Sequence, residues 1–394
     1  MVTVVGIGAD GWAGLAPPAR AALAEAEVLI GSARQLALVE SDAIKVTWPL
    51  PMLPAIPGLL AEHAGRRVCV LASGDPMLYG VGSTLARLLG PERLRVIPHV
   101  SAVSLACARL GWAVHEVEVV RSVEALRRDV LPGRRLVVLS ADGSTPDAVA
   151  KSLMDWGFGP SRLTVLEELG GPGERRRDGT AASWEPAQVG ALNLVAVDCR
   201  AAADTVVLGR GPGLPDEAFE HDGQLTKREV RAVTLAALGP LPGELLWDVG
   251  AGSGSVGIEW MRSDRGCRAI AVEHDDERAE RIGRNAKALG VPGLRVVRGR
   301  APAALEGLPA PDAIFVGGGL TADGLLDACL AALPAGGRLV ANAVTLQSEA
   351  VLTAWQGSVG GTLTRIEISR AAPVGGFTGW RPMMPVTQWM VRRS

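Results

Sequence analysis

The stretch that decides the fold is Leu245–Met261, LLWDVGAGSGSVGIEWM. An apolar run ends in an acid and a valine, glycines follow at 250, 252 and 254, and a helical pattern begins at once. That order predicts a buried strand, a tight turn and a helix start. Glycines at alternate positions remove the side chains that would hold a ligand off the backbone, and they leave amide N–H groups at the mouth of a helix. Glu273 lies 21 positions after Gly252 and ends the next apolar run, Ala269–Val272. This is close to the ~20-residue offset at which an acid reaches ribose hydroxyls.

A glycine turn alone fits NAD, FAD, a nucleotide or S-adenosylmethionine. GAGSG does not keep the GxGxxG register, and no lysine follows to meet a triphosphate, so a P-loop is excluded. With the acid at 273, glycines 250 to 254 resemble the class I methyltransferases. Upstream, Thr226 is placed to cap a helix through Ala237, with Glu229 at the capping-box position. Downstream, a helix to Leu289, strand Leu294–Arg298, the strand of PDAIFVGGG, helix Asp323–Leu333 and strand Arg338–Ala341 follow. Strands Leu363–Ile368 and Val386–Val391 close a seven-stranded plan with a reversed final hairpin, connected through Gly375–Pro385.

The N-terminal half opens on another strand and glycine turn, Val2–Ile7 and GIGADG, then a helical pattern from Pro17 to Ala26. The segment Glu27–Gly31 leads straight into a helix, so no ribose-binding acid stands at the usual offset and NAD is discounted. Trp48–Gly58 is proline-rich and is expected to be an irregular loop. Strand Arg67–Ala72 opens into SGDPMLYGVGSTLARLL, with a turn at Asp75 and Pro76, and Leu94–Ile97 runs into PHVSAVSLACARLGW, where Ser101 caps a helix. Three strand ends thus bring small polar loops to one sheet edge, where ligands sit in open α/β folds. A second layer holds strands Arg135–Leu139, Leu163–Leu166 and Leu192–Asp198, with helix Asp147–Trp156. The basic run Arg175–Arg177 reads as a solvated turn, or alternatively as a carboxylate-binding patch.

A shift to GRGPGLPDEAFEHDG places the domain boundary between Arg200 and Gly223. The expected division is 1–200, a linker 201–222, and 223–394. A net charge of −2 gives no reason to expect nucleic acid, and no uninterrupted run of about 18 apolar residues suggests a membrane span. The start MVTVVGIGADG lacks the basic region of a signal peptide. Five scattered cysteines read as buried thiols in a reducing cytoplasm, and no HExxH or CxxC occurs, so no metal site is expected.

The motifs VVGIGADGWAGL, VLASGDPMLYGVGSTL, SLACARLGW, LSADGSTP and VLEELGGPGE resemble the CbiE family of tetrapyrrole (class III) methyltransferases. LTKREVRA, LWDVGAGSGSVGIEW, AVEHD, GRAPAAL, DAIFVGGG and NAVTLQSE resemble the CbiT family. Their fusion in this order, over nearly the whole chain, is similar to the CobL-type family of cobalamin biosynthesis. The resemblance implies a two-lobed class III fold followed by a seven-stranded Rossmann-like class I domain. It implies methylation of precorrin-6Y at C5 by the first half and at C15 by the second. Decarboxylation of the C12 acetate by the second half then gives precorrin-8. Two S-adenosylmethionine sites per chain follow: Gly8, Asp75, Leu78, Ser101 and Ala102 at the first, and Thr226, Gly250, Ala251, Gly252, Ser253, Gly254, Glu273 and Ala301 at the second. The sequence departs from the usual pattern at His99, where a small residue is common.

The chemistry needs orientation and exclusion of water more than a nucleophile. The macrocycle accepts the electrons left by CO2, so neither metal nor pyridoxal is required. Lys227, Arg228 and Arg231 are candidate partners for the carboxylates of the tetrapyrrole. No nucleic-acid or membrane partner is expected; a homo-oligomer is. The alternatives are a single-site methyltransferase acting on RNA, its first half a ligand-binding module, and an NAD-dependent oxidoreductase.

Overall fold

The computed structural model describes all 394 residues. The chain divides into two units, one of residues 1–123 and 132–205, the other of residues 124–131 and 206–394. No helix is long and apolar enough to cross a membrane.

The first unit carries two five-stranded sheets. One is built from β1 (Val2–Ile7), β2 (Val28–Gly31), β3 (Ile44–Thr47), β4 (Val68–Ser73) and β5 (Leu94–Ile97), all parallel, in the order β3-β2-β4-β1-β5. Its inner strands β2 and β4, and most of β1, are apolar runs because helices cover both faces; Val4, Ile30 and Val70 pack on one side, Val5, Leu29 and Leu71 on the other. The other is built from β6 (Val117–Val120), β7 (Arg135–Leu139), β8 (Arg162–Glu167), β9 (Arg175–Thr180) and β10 (Asn193–Asp198), in the order β6-β7-β10-β8-β9, mostly antiparallel.

Two local expectations fail here for clear reasons. Residues 52–62 form a helix although they include Pro54 and Pro57. Pro54 lies in the first turn, where no N–H is needed, and buried Ile56 with Met52, Leu59 and Leu60 holds the helix on the sheet. The run Arg175–Arg177 is an edge strand, not a turn. It pairs with β8 while its side chains meet acids, as in Arg175 to Glu167 at 2.9 Å.

The second unit is one seven-stranded sheet flanked by helices. Its strands are β11 (Leu245–Val249), β12 (Arg268–Glu273), β13 (Arg295–Arg298), β14 (Ala313–Val316), β15 (Arg338–Ala343), β16 (Thr362–Ile366) and β19 (Val386–Arg392). Between the last two, β17 (Ser369–Val374) and β18 (Phe377–Pro382) pair only with each other. The order is β13-β12-β11-β14-β15-β19-β16, with β19 antiparallel to both neighbours. In β11 the side chains alternate, so Leu246 joins the core beneath helices Arg228–Leu238, Ser255–Ser263 and Asp276–Ala288. Leu245, Trp247 and Val249 join the opposite core beneath Leu325–Ala332 and Leu346–Val359. The connection expected through Gly375–Pro385 is richer than the sequence suggested, since residues 369–382 between β16 and β19 form a hairpin of their own.

Of the stretch 201–222, expected as a linker, residues from 206 onward belong to the second unit, where Leu208, Leu214 and Phe219 are buried in its core. Residues 124–131 join that unit too; buried Asp129 accepts from Arg210 at 2.6 Å and Arg265 at 2.8 Å. All five cysteines are buried thiols outside any disulfide, and burial pushes the Cys69 and Cys329 thiols up to about 12.

Candidate active sites

In the second unit the turn after β11 needs its glycines. Gly250 has φ +69°, and a Cβ there would stand 2.8 Å from the Gly318 nitrogen, in the loop after β14. Gly252 has φ +59° and lies under the Gln224 carbonyl, which places the approach to Thr226 over the turn. Glu273, at the end of β12, accepts from the Gly252 N–H at 2.8 Å through Oε2. Its Oε1 accepts from the His274 and Asp275 N–H groups at 2.9 and 3.0 Å. A carboxylate has about four acceptor sites, so this geometry leaves one open, on Oε2. Ala301 lies in the loop after β13, at the same edge of the sheet.

Asp248 is 1% exposed. One oxygen accepts from the Gly257 N–H at 2.8 Å, and the other has no partner. Burial, reinforced by the Glu273 charge and opposed by the Gly257 hydrogen bond, pushes this carboxyl up to about 7. Ser253 also has a buried hydroxyl without a partner.

The helix that follows Thr226 requires two corrections. Its N-cap is Lys227, without a side-chain cap bond, and Glu229 pairs with Arg370 at 2.6 Å instead of closing a capping box. Arg231 cannot meet a substrate: it is 0% exposed. It donates to Glu259 at 2.6 Å, to Asp216 at 3.3 Å and to the carbonyls of Leu214 and Thr226, and it lies 4.7 Å from the Phe219 ring centroid. The charge ties the segment before the helix to the helix after the glycine turn. Arg228 remains exposed and Lys227 half-buried.

In the first unit a cavity of about 200 Å³ opens between the two sheets. The parallel sheet contributes Gly8, Ala9, Arg34, Ser73, Gly74 and Ala102, all at the C-terminal ends of strands; the other contributes Ser140, Glu168 and Asn193 among leucines. Ser101 caps the helix Ala102–Leu110, accepting from the Ser104 N–H at 3.0 Å, and its Cα stands 3.3 Å from where a Gly74 Cβ would be. Asp75 and Leu78 form the turn just beyond, Asp75 accepting from the Met77 N–H at 2.8 Å, and do not line the cavity. His99 Nε2 stands 3.3 Å from Asp10 Oδ1, and a Cβ at Gly8 would come within 2.8 Å of that imidazole.

Residues 1–184 match the tetrapyrrole (corrin/porphyrin) methylases, and residues 217–393 match a precorrin methyltransferase domain. The precorrin-6Y C(5,15)-methyltransferase (decarboxylating) of Mycobacterium tuberculosis (strain ATCC 25618 / H37Rv) is 52% identical over 399 residues, covering 100% of both chains. The chain belongs to this family. The Sinorhizobium sp protein of the same name is 50% identical, over 98% of this chain and 95% of its own. The crystal structure of the C-terminal domain of precorrin-6Y C5,15-methyltransferase from Rhodobacter capsulatus is 49% identical and has a TM-score of 0.45. It covers 47% of this chain and 100% of that one.

A methyltransferase of this family implies S-adenosylmethionine, and the residues present fit it. Both candidate sites hold glycines whose added Cβ would collide, and both hold buried polar atoms without a partner: Ser140 Oγ and Asn193 Oδ1 in the first, Asp248 Oδ1 and Ser253 Oγ in the second. Asn193 donates through Nδ2 to the Asp142 and Gly190 carbonyls, which fixes the amide and leaves its oxygen to accept. Arg34, Ser140, Glu168 and Asn193 were missed by sequence reasoning. The one available signal was their place just after, or at the start of, apolar strands.

Proposed function

We propose that this chain methylates precorrin-6Y at C5 in its first unit and at C15 in its second, where it also decarboxylates the C12 acetate, releasing its carboxyl as CO2 and leaving a methyl group at C12. The product is precorrin-8, and two donor molecules bind per chain. The observation that carries this reading is a separate glycine-lined site in each unit of a chain related end to end to the precorrin-6Y C(5,15)-methyltransferases.

S-adenosylmethionine supplies a sulfonium-bound methyl to an electron-rich ring carbon. The chain's own part is binding and orientation. At the first site Gly8 and Ala102 allow close approach, while Ser140 and Asn193 offer hydrogen bonds. At the second, the open lone pair of Glu273 suits a ribose hydroxyl, and a second hydroxyl requires Gly252 to release its N–H. Lys227 and Arg228 are placed before the second site to attract a carboxylate-rich ring.

Mass spectrometry of the product from precorrin-6Y and S-adenosylmethionine tests the reading. The expected product carries two added methyl groups and lacks one CO2, and label in the C12 acetate carboxyl appears as 13CO2. A single methylation without CO2 contradicts it.

A further inference from the structure

Among the residues lining the first cavity, Arg34 is the one cation and Glu168 the one anion. Arg34 follows β2 in the helix Ala33–Ala37 and is half-buried. Of its five N–H donors, the guanidinium uses one, from Nη2 to Ser73 Oγ at 3.0 Å. Gln35 donates to the same hydroxyl at 3.1 Å, which fixes the Ser73 anchor. Glu168, on the opposite wall, begins the loop after β8 with φ +47°, a left-handed conformation unfavourable for a residue with a side chain. Such strain clusters at functional sites, and the carboxylate lies against Gly173 of the same loop, where an added Cβ would come within 2.2 Å of its Oε2. Its backbone is held by N–H donation to the Leu192 carbonyl at 3.0 Å and by acceptance from Gly171 at 2.9 Å. Burial lowers the Arg34 pKa, and the Glu168 charge acts against that. The rest of the wall is mostly apolar, leucine the commonest residue, with the unpartnered Ser140 and Asn193 oxygens.

We propose that Arg34 is the carboxylate-recognising residue of the first cavity, and that Glu168 is a resident counter-charge that weakens this recognition. A guanidinium with free, coplanar donors suits a carboxylate bidentately, and a wall of leucine makes that contact stronger than it would be in water. Two ligands carry the required group: the amino-acid end of the donor and the acid side chains of the tetrapyrrole. The inference rests on the assignment of the first cavity to C5 methylation.

Full-length Arg34→Gln, Arg34→Lys and Glu168→Gln proteins decide it, each first shown to melt as the wild type does. First-cavity binding is titrated with S-adenosylhomocysteine and with 5′-methylthioadenosine, which lacks the amino-acid carboxylate, and C5 methylation is followed against precorrin-6Y concentration. If the donor supplies the carboxylate, Arg34→Gln weakens S-adenosylhomocysteine at least tenfold and leaves 5′-methylthioadenosine unchanged. If the tetrapyrrole supplies it, donor binding holds while KM for precorrin-6Y rises at least tenfold with kcat nearly kept. Arg34→Lys falls between Gln and wild type because it keeps the charge and loses the fork. Glu168→Gln tightens the affected ligand about two- to fivefold. Arg34→Gln that changes neither ligand overturns the proposal, as does Glu168→Gln that weakens both. A wild-type chain that binds no donor in its first unit contradicts the functional reading itself, whatever the variants do.

Discussion

The two units build their candidate ligand sites by different means, and the difference lies in how far apart in sequence the parts are. The second site is assembled within one βαβ unit, from the glycine turn after β11 to Glu273 at the end of β12, and the Gly252 to Glu273 hydrogen bond joins its two ends. The first is assembled from both sheets, with parts running from Gly8 to Asn193. A local site is fixed by the strand and turn that carry it. A dispersed one depends on how two sheets pack.

Legibility followed the same line. That Glu273 meets the turn of Gly250 to Gly254 could be read from the sequence because spacing within one βαβ unit dictates proximity. Ser140, Glu168 and Asn193 could not, because only the packing of one sheet on another brings them opposite Gly8 and Ala102. Arg231 was misread for a related reason. A basic helix position looks solvated until its partners are known, and Asp216 and Glu259 stand 15 and 28 residues away along the chain. The helix over 52–62 was hidden by prolines whose cost is offset by Ile56 and its neighbours.

Four substitutions sharpen the contrast. The largest effect is expected from Arg231→Ala, which leaves Glu259 buried without its cation and Asp216 with Arg370 alone, and should cost the second unit about 3–5 kcal/mol, read by denaturant unfolding. A raised KM for precorrin-6Y with unchanged stability would instead restore Arg231 as a substrate contact. Glu273→Ala should weaken the second donor site by roughly 1.5–3 kcal/mol, the range of a hydrogen bond to a charged group, with the first site unmoved. Equal weakening of both sites would point to a folding defect.

Asp248 should show in the pH dependence of stability. Its carboxyl holds a proton to a higher pH in the folded chain, about 7 against an ordinary 3.8. Between those values the folded state binds more protons, so stability falls as pH rises, by up to about 1.4 kcal/mol per pH unit. Asp248→Asn should remove that slope from the unfolding free energy, and an unchanged slope would refute the assignment. The smallest effect belongs to Ser140→Ala. Its hydroxyl has no partner within the protein, so stability should hold while first-site donor affinity falls by about 0.5–1.5 kcal/mol. Lost stability with unchanged affinity would mean the hydroxyl serves the fold alone.

The central claim, one donor site in each unit, is tested most directly by calorimetric titration of the intact chain with S-adenosylhomocysteine. The account predicts two molecules bound per chain in the wild type and, at concentrations that saturate only the first site, one in Glu273→Ala. A single molecule bound per fully folded wild-type chain would contradict it.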